Sequence, residues 1–286
     1  MGVIVKHPGV YSTLQDLGRY SGLPLGVPIS GAMDLCLFNF ANQCLQNETN
    51  STAIEFYQQG LELQFEAPTL VCVASLSAAI QINGAEASTN LVLKLHTSDV
   101  LKIKELREGN WGYVAVKGGF CSESYLGSQS FYKAFSPAQL NKKDRIDFNH
   151  RENLSIETDL NLDKSTYSTK VLKVFQGAEF NKLSRTLEHQ LFNAEFSVSS
   201  IQNRMAYQVQ EQLSNALDEI ITGPVLPGTV QFTPSGKMII LMRDAQVTGG
   251  YPRILQLSEE SINVLAQKRP KSKIKFKLTE INSENV

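Results

Sequence analysis

The chain has 286 residues, a length that suggests roughly two domains of about 150 residues each. Its composition, 42% hydrophobic and 19% charged, is that of a globular protein with a sizeable core. Lys and Arg number 27 and Asp and Glu number 28, so the net charge of -1 argues against nucleic acid or an anionic membrane surface as the main partner.

The cysteines predict a reducing compartment. No two of them have the Cys-x-x-Cys spacing that zinc ribbons and redox sites use, and they are too few for a disulfide framework in a chain of this length. We therefore expect free thiols and a cytoplasmic protein. The first residues do not resemble a signal peptide, and no apolar run reaches the roughly 18 residues of a membrane span. The four cysteines are Cys36, Cys44, Cys72 and Cys121.

In the first half of the chain, one predicted helix precedes a series of strands. Asp34 can cap a helix through Leu45, because apolar residues recur there on one helical face. Strict alternation of apolar and polar residues then predicts half-buried strands. These strands are expected at 61–65, 92–95 and 100–103, with a more deeply buried strand at 70–73.

The middle of the chain predicts a boundary between two lobes. The stretch from Asn149 to Thr169 is rich in Asn, Asp, Glu, Ser and Thr and poor in aromatic residues. We therefore predict an N-terminal β lobe at 1–160, with the helix near 34–45, and a C-terminal β lobe at 161–286. Exchange of strands between the lobes stays open at this point.

The second half repeats the same kinds of element. Phe180, Leu183, Leu187 and Leu191 recur at helical spacing, and Ser258 can cap a last helix that Pro270 limits. Strands are predicted at 238–242 and 274–278, and the tail from 280 is expected to fray. Many short strands between glycine and proline turns, of which Asn83-Gly84 is one, predict a mainly β protein with a few helices, in a sandwich or barrel architecture.

Several common sites are missing from the sequence. There is no Gly-x-x-x-x-Gly-Lys-Ser/Thr phosphate loop and no Gly-x-Gly-x-x-Gly opening a helix. The four histidines are scattered, so no bound metal is predicted. They are His7, His96, His150 and His189.

Three segments, at 15–34, 202–207 and 241–252, combine glycines with polar residues where a core strand would be apolar. Glycine lets the backbone approach a ligand, and Asp, Arg, Asn and Gln supply oriented polar contacts. Each segment also has a structural interpretation. Asp16 can cap a turn, Arg19 can pair with a surface acid, and Gly249 and Gly250 can form a tight turn. Arg204 suits a carboxylate or phosphate clamp, with structural pairing as the alternative.

The three segments together resemble a family described as the C subunit of 5-oxoprolinase, allophanate hydrolase subunit 2 or biotin-dependent carboxyltransferase. The similarity runs from about Val10 to about Gln267. The motifs that carry it are Leu-Gln-Asp-x-Gly-Arg, Ser-Gly-Ala-Met-Asp, Asn-Arg-Met, Leu-Pro-Gly-Thr-Val-Gln and Asp-Ala-Gln-x-Thr-Gly-Gly-Tyr-Pro.

The resemblance implies two cyclophilin-like β-barrel lobes and a hetero-oligomer. The implied partners are a subunit-1-like (subunit-B-like) protein and, in the oxoprolinase case, the A subunit of 5-oxoprolinase. The implied reaction is the ATP-dependent opening of the 5-oxo-L-proline lactam to L-glutamate. ATP is then needed by the complex, and which of its proteins binds ATP stays open.

The resemblance also implies site residues. Arg204 and Asp244 are the implied catalytic residues, with Arg204 as cationic anchor for the substrate carboxylate and Asp244 as the group that orients a water or accepts a proton. Gly249 and Gly250 are candidates for N–H donors to a developing oxyanion. The implied substrate-binding residues are Asp16, Arg19, Asn203, Tyr207, Gln246, Thr248, Gly249, Gly250 and Tyr251.

Two alternatives remain at this point. The chain could be the carboxyltransferase half of a biotin-dependent urea-type carboxylase. It could also be a non-enzymatic regulator that antagonises an inhibitor of a kinase, as one member of the family does. Ala206 and Gln208 stand where the family usually has Gly and Arg, which favours the regulator slightly.

Overall fold

The computed structural model describes residues 1–133, 136, 139–149, 155–156 and 158–280. The chain divides into two units, each with its own internal contacts. The first unit comprises Met1–Ser21 and Ser30–Lys164, and the second comprises Gly22–Ile29 and Ser165–Val286. The first unit therefore ends at Lys164 rather than at 160, and the second takes in a short early segment. Residues 150–154 and 157 of the predicted boundary stretch, and 281–286 of the predicted frayed tail, lie outside the described residues.

The first unit consists of strands and one α-helix. Its elements are β1 (Gly2–Pro8), β2 (Tyr11–Gln15), α1 (Leu35–Cys44), β3 (Ala53–Tyr57), β4 (Leu61–Phe65), β5 (Thr69–Ala74), β6 (Ser77–Ile82), β7 (Ala85–Ala87), β8 (Val92–Leu95), β9 (Val100–Glu108), β10 (Trp111–Val116), β11 (Phe120–Cys121) and β12 (Arg145–Phe148). A 3-10 turn at Tyr20–Leu25 begins in this unit and continues into the early segment of the second unit.

The strands of the first unit form two sheets around one core. One sheet has the order β11-β12-β1-β4-β9-β6-β7, and the other has the order β2-β3-β10-β5-β8. Alternate residues of both sheets, such as Val3, Leu63 and Val114, meet in a single buried cluster. This is the packing that the alternating sequence predicts, since burying one face of each sheet removes apolar surface from water.

Local signals fix two elements of this unit. The Asp34 carboxylate accepts hydrogen bonds from the backbone N–H groups of Cys36 and Leu37, both at 3.1 Å, so α1 begins at Leu35. Between β6 and β7, Asn83 and Gly84 both have positive φ, 51° and 86°. This pair forms the two-residue hairpin turn that an Asn-Gly sequence favours. The predicted helix and turn are confirmed.

The second unit is a barrel with two α-helices and a short pair of strands. Its elements are β13 (Val171–Gln176), α2 (Arg185–Asn193), β14 (Phe196–Gln202), β15 (Ala206–Gln212), β16 (Gly223–Pro224), β17 (Thr229–Phe232), β18 (Lys237–Leu241), β19 (Thr248–Gly249), β20 (Arg253–Leu257), α3 (Glu259–Ala266) and β21 (Lys273–Leu278). Further 3-10 turns span Ser165–Ser168 and Phe180–Lys182.

Seven strands close the barrel in the order β13-β20-β17-β18-β15-β14-β21. Strand β13 pairs with β21 in parallel, and the other neighbours are antiparallel. The short strands β16 and β19 form a separate two-stranded sheet. The protein is thus mainly β with a few helices, and the predicted fold class is confirmed.

One predicted element of the second unit is wrong in detail. Phe180, Leu183, Leu187 and Leu191 do not lie on one continuous helix. The Ser184 hydroxyl accepts from the backbone N–H of Leu187, so α2 begins at Arg185, and Leu183 before it is extended. Only Leu187 and Leu191 form the buried stripe of α2. The predicted helix capped by Ser258 is confirmed as α3.

Candidate functional site

Asp16 holds together three segments of the first unit. Its carboxylate is 2% exposed and accepts four hydrogen bonds: from the hydroxyls of Ser128 and Ser130, both at 2.6 Å, and from the backbone N–H groups of Gly18 and Gln129 at 2.8 and 2.7 Å. Its carbonyl oxygen accepts from the N–H of Ala32. The Asp16 side chain therefore caps a turn, which was one of its two interpretations. The predicted contact of Asp16 with substrate stays a prediction.

Arg19 belongs to the same cluster. Its side chain is buried, and its Nη2 donates to the carbonyl oxygen of Ser130. The guanidinium therefore lies inside the first unit rather than on the surface beside an acid. Asp16 and Arg19 both contact Ser130, so the structure brings these two predicted residues together.

A second buried network in the first unit was not predicted. The Tyr113 hydroxyl donates to Glu55 Oε2 at 2.8 Å and accepts from the backbone N–H of Asp34, and the N–H of Met33 donates to the same Glu55 oxygen. Burial, with Glu55 next to it, raises the pKa of Tyr113 well above its usual value. The signal in the sequence was a glutamate inside the otherwise apolar strand β3. The network anchors the start of α1.

The first unit also has a polar cavity of 620 Å³ beside the Lys117-Gly118-Gly119 turn. Lys117 Nζ donates to the carbonyl oxygens of Leu45 and Gln46, at the carboxyl end of α1. Its charge thus supports the helix end, where the backbone dipole is negative. The Thr52 hydroxyl, buried at the cavity wall, has no hydrogen-bond partner within the described part of the chain.

In the second unit, Arg204 and Asp244 form a bidentate ion pair. Arg204 Nε donates to Asp244 Oδ2 at 2.8 Å, and Nη2 donates to Oδ1 at 2.9 Å. The backbone N–H of Asp244 also donates to the carbonyl oxygen of Arg204 at 2.8 Å, so the pair extends the β15–β18 ladder. The side chains are 5% and 15% exposed. Structural pairing of Arg204 is therefore present, and its role as substrate anchor stays a prediction.

Asn203 and Tyr207 flank this pair and are engaged by the protein. Asn203 Oδ1 accepts from the N–H groups of Met205 and Ala206, which fixes the turn before β15. Tyr207 points into the barrel, where its hydroxyl donates to the carbonyl oxygen of Ala266 at 3.0 Å. Both contacts are structural, and a contact of either residue with substrate stays a prediction.

The remaining predicted residues lie within 246–251. This segment pairs through β19 with β16, and the two segments 220–225 and 245–251 are called the arm here. Pro224 pairs with Thr248 and Gly223 with Gly249, and the N–H of Val225 donates to the carbonyl oxygen of Val247. Gly249 is therefore in a strand, so its tight-turn interpretation is wrong. The Gly250 carbonyl accepts from the N–H of Ile220.

The arm packs on the outside of the barrel. Val225 contacts Leu241 and Ala245, and Ala206 and Ile239 pack against the same cluster. Gln246 lies between Ala245 and Val247 in this arm segment, and Tyr251 follows it, half-buried. The predicted site residues thus fall into two groups, Asp16 and Arg19 in one unit and 203–251 in the other. Their convergence into one cleft stays a prediction.

Arg253 and Glu179 support the arm and were not predicted. Arg253 Nε and Nη2 donate to the two oxygens of Glu179, at 2.9 and 2.8 Å, and Nη1 donates to the carbonyl oxygen of Pro224. The hydrogen bond from Arg253 is the main cause that lowers the pKa of Glu179 below its ordinary 4.5. The two residues are far apart in the sequence, and no local pattern marks them.

We expect this pair to make the second unit acid-sensitive. A carboxylate whose pKa is lower in the folded state stabilises the fold above its ordinary pKa, and this stability is lost as the pH falls through the lowered value. Below pH 4.5, the hydrogen-exchange protection factors of β20, which correct for the intrinsic exchange rate, should therefore fall less steeply in Glu179→Gln than in the unchanged protein. Glu219→Gln, at an exposed site, controls for the loss of one negative charge. Equal slopes in all three proteins would contradict the prediction.

Comparison with known proteins identifies the family. Residues 25–278 match the family described as "Carboxyltransferase domain, subdomain A and B". The chain belongs to this carboxyltransferase family. The resemblance predicted from the five motifs is thereby confirmed.

This carboxyltransferase-family chain has bacterial relatives of similar length. It is 30% identical over 273 residues to the C subunit of 5-oxoprolinase from Haemophilus influenzae, which covers 93% of the chain and 87% of the relative. It is 28% identical over 266 residues to the corresponding 5-oxoprolinase protein of Escherichia coli, covering 91% and 85%. The crystal structure of the K. lactis urea amidolyase matches with a TM-score of 0.86 at 23% identity, over 96% of the chain but 18% of that protein.

The described residues of this carboxyltransferase-family chain lack two further features. They contain no group of three or more His, Cys, Asp or Glu side chains placed to hold a metal ion. Among them there is also no helix with the length and apolar character needed to cross a membrane.

Proposed function

We propose that the chain is a subunit of an ATP-dependent 5-oxoprolinase complex that hydrolyses the 5-oxo-L-proline lactam to L-glutamate. One observation carries the proposal. Two bacterial proteins, each named as the C subunit of 5-oxoprolinase, align with nearly the whole chain, and the chain covers 85% and 87% of their lengths. The match therefore extends well beyond a shared fragment.

The proposed chemistry assigns different roles to Asp244 and Arg204. An unstrained lactam resists attack by water, so the reaction needs an activated carbonyl and a group that accepts a proton from the nucleophile. Asp244 is the candidate acceptor, since its side chain is 15% exposed. Two nitrogens of Arg204 hold its carboxylate oxygens, so Arg204 acts as a positioning residue that fixes their direction.

We place ATP on a partner protein rather than on this chain. Phosphates often bind at helix N-termini, where the backbone N–H groups point outward. Here Asp34, Ser184 and Ser258 already cap α1, α2 and α3. A carboxylate at the first cap and the acidic Glu259 and Glu260 in the first turn of α3 repel a triphosphate. The proposed partners are a subunit-B-like and a subunit-A-like protein.

The direct test is reconstitution. The chain is co-expressed with the subunit-B-like and subunit-A-like proteins of its own organism, and the purified complex is assayed for glutamate from 5-oxo-L-proline with ATP. We expect turnover that needs all three proteins. Asp244→Asn should lower kcat by about 100-fold in an assembled complex, the usual contribution of a general base. An assembled complex without turnover would contradict the proposal.

Two further assays separate the alternatives. A urea-type carboxyltransferase would instead transfer carboxylate to urea when a biotin carboxylase and a biotinylated carrier are supplied. A regulator would bind the subunit-B-like protein and thereby change the activity of the kinase that this protein inhibits. It would show no turnover of 5-oxo-L-proline or urea. The fold match to the K. lactis urea amidolyase, at 23% identity, does not discriminate among these.

A further inference from the structure

The last strand of the barrel carries lysines on its outer face. Ile274 and Phe276 of β21 are buried on the inner face. Side chains alternate along a strand, so the residues beside them point outward, and successive outward residues are about 6.6 Å apart. These outward residues are Lys273, Lys275 and Lys277, all exposed, and they are called the lysine row here.

The charge of this part of the sequence has a single sign. No Asp or Glu lies between Glu260 and Glu280. The chain as a whole has a net charge of -1, so the positive charge is a local feature. A cluster of like charges on one face attracts a partner of opposite charge. Six of the chain's 27 lysines and arginines lie in this stretch: Lys268, Arg269, Lys271, Lys273, Lys275 and Lys277.

The acids of the barrel neutralise only one end of the lysine row. Lys273 Nζ lies 3.8 Å from a carboxylate oxygen of Glu211 and donates to the Ser197 hydroxyl. Lys275 and Lys277, in contrast, form no ion pair with any residue in the described part of the chain. The centre of the row therefore presents two ammonium groups whose only counter-ions come from solution.

The stability of the barrel does not explain the row. Strand β21 pairs in parallel with β13, and Lys277 is the register partner of Lys173. Like charges side by side on neighbouring strands are destabilising. Glu260 is 2.7 Å from Lys173 and offsets part of this repulsion, but it has no counterpart at Lys275. An anionic ligand along the row would remove the remaining repulsion.

The geometry of the row favours an acidic protein segment over a nucleic acid. Strand β21 lies between β13 and β14 in the closed barrel, so it is not a free edge, and recognition rests on its side chains. The row contains no arginine to grip a phosphate with two N–H groups and no aromatic ring on which a base could stack. An extended peptide places every second side chain on one face, which is the period of the row.

We propose that the lysine row of β21 is a docking surface for an extended acidic segment of a partner protein, with carboxylates at every second residue. Lys275 and Lys277 supply the central contacts, because no described acid of this chain competes for them. Lys273 extends the contact at one end. The inference goes beyond the proposed function, which requires partners but assigns no surface of this chain to them.

The test is an NMR titration of the full chain with a heptapeptide of alternating Glu and Thr, acetylated and amidated, which carries four carboxylates. We expect the peptide to shift the amide signals of β21 and of the neighbouring β13, and its affinity to fall as salt is added. Replacing both central lysines, Lys275→Gln with Lys277→Gln, should raise the dissociation constant about ten-fold, as expected for two exposed ion pairs.

A matched variant controls for the loss of two positive charges. Lys142 and Lys143 are exposed in the first unit, so Lys142→Gln with Lys143→Gln should leave the dissociation constant nearly unchanged. The variant of the two central lysines should have a thermal midpoint equal to or above that of the unchanged protein, because it relieves repulsion. Equal weakening of peptide binding in both double variants would overturn the proposal.

Two further probes test the spacing and the class of partner. A heptapeptide of the same composition with its four Glu in one block should bind about three-fold more weakly, since fewer of its carboxylates can face the row. An oligonucleotide of five thymidines carries four phosphates and should bind more weakly than the alternating peptide. Tighter binding of the oligonucleotide, equal binding of the two peptides, or no shift of the β21 signals at high peptide concentration would each overturn the proposal. None of these results depends on turnover of 5-oxo-L-proline.

Discussion

Replacing Asp16 by alanine is expected to lower the free energy of unfolding of the first unit by about 3–5 kcal/mol. The buried carboxylate accepts from two hydroxyls and two backbone N–H groups, and alanine leaves these donors without their acceptor. Asp16→Asn should cost less, because its amide oxygen can still accept from Ser128 and Ser130. Its NH₂ group would instead face the N–H of Gln129.

The measurement can be confined to the first unit. Trp111 is the single tryptophan of the chain and lies buried in β10, so its fluorescence during chemical denaturation reports on this unit. Asp159→Ala, at an exposed aspartate of the same unit, is the control and should shift the transition by less than about 0.5 kcal/mol. A transition in Asp16→Ala that matches the control would mean that the four hydrogen bonds contribute no net stability.

The elements that the sequence predicted well are those whose cause is local. The cap at Asp34, the Asn83-Gly84 hairpin and the alternating strand β4 each depend on residues within a few positions of one another. The prediction of a continuous helix through Phe180 and Leu191 failed for a local reason too. Serine favours the N-cap position over the interior of a helix, so the helix begins after Ser184. The apolar spacing alone does not show this.

The candidate site was predictable only in part. Motifs located Arg204 and Asp244, but not that they bind each other across forty positions of the chain. In the sequence, Gln231 of β17 looks like any polar residue of a half-exposed strand, yet it is buried. Its burial comes from the arm, which pairs two segments far from β17, and only the fold shows that Gly249 lies over it. Contacts between distant segments of this kind leave no periodic signal.

The largest effect in the second unit is expected from breaking the Arg204–Asp244 pair. Arg204→Met leaves a carboxylate that is 15% exposed without its two donors, and we expect a loss of about 3–5 kcal/mol. Asp244→Asn should cost less, because the guanidinium keeps one acceptor oxygen. In the double variant the losses should not add, and the coupling energy should be about 2 kcal/mol. Hydrogen exchange of the β15 and β18 amides, followed by mass spectrometry, measures these losses within the second unit.

An exposed pair of the same unit provides the contrast. Lys173 and Glu260 are 2.7 Å apart with side chains 54% and 50% exposed, so water competes with their attraction. The cycle of Lys173→Met and Glu260→Gln should therefore give a coupling below about 1 kcal/mol. If both cycles gave the same small coupling, the Arg204–Asp244 pair would not be what joins the ends of β15 and β18. Arg204 could then turn away from Asp244 at little cost, as the predicted role of substrate anchor requires. A large coupling would instead favour Arg204 as the residue that aims the Asp244 carboxylate.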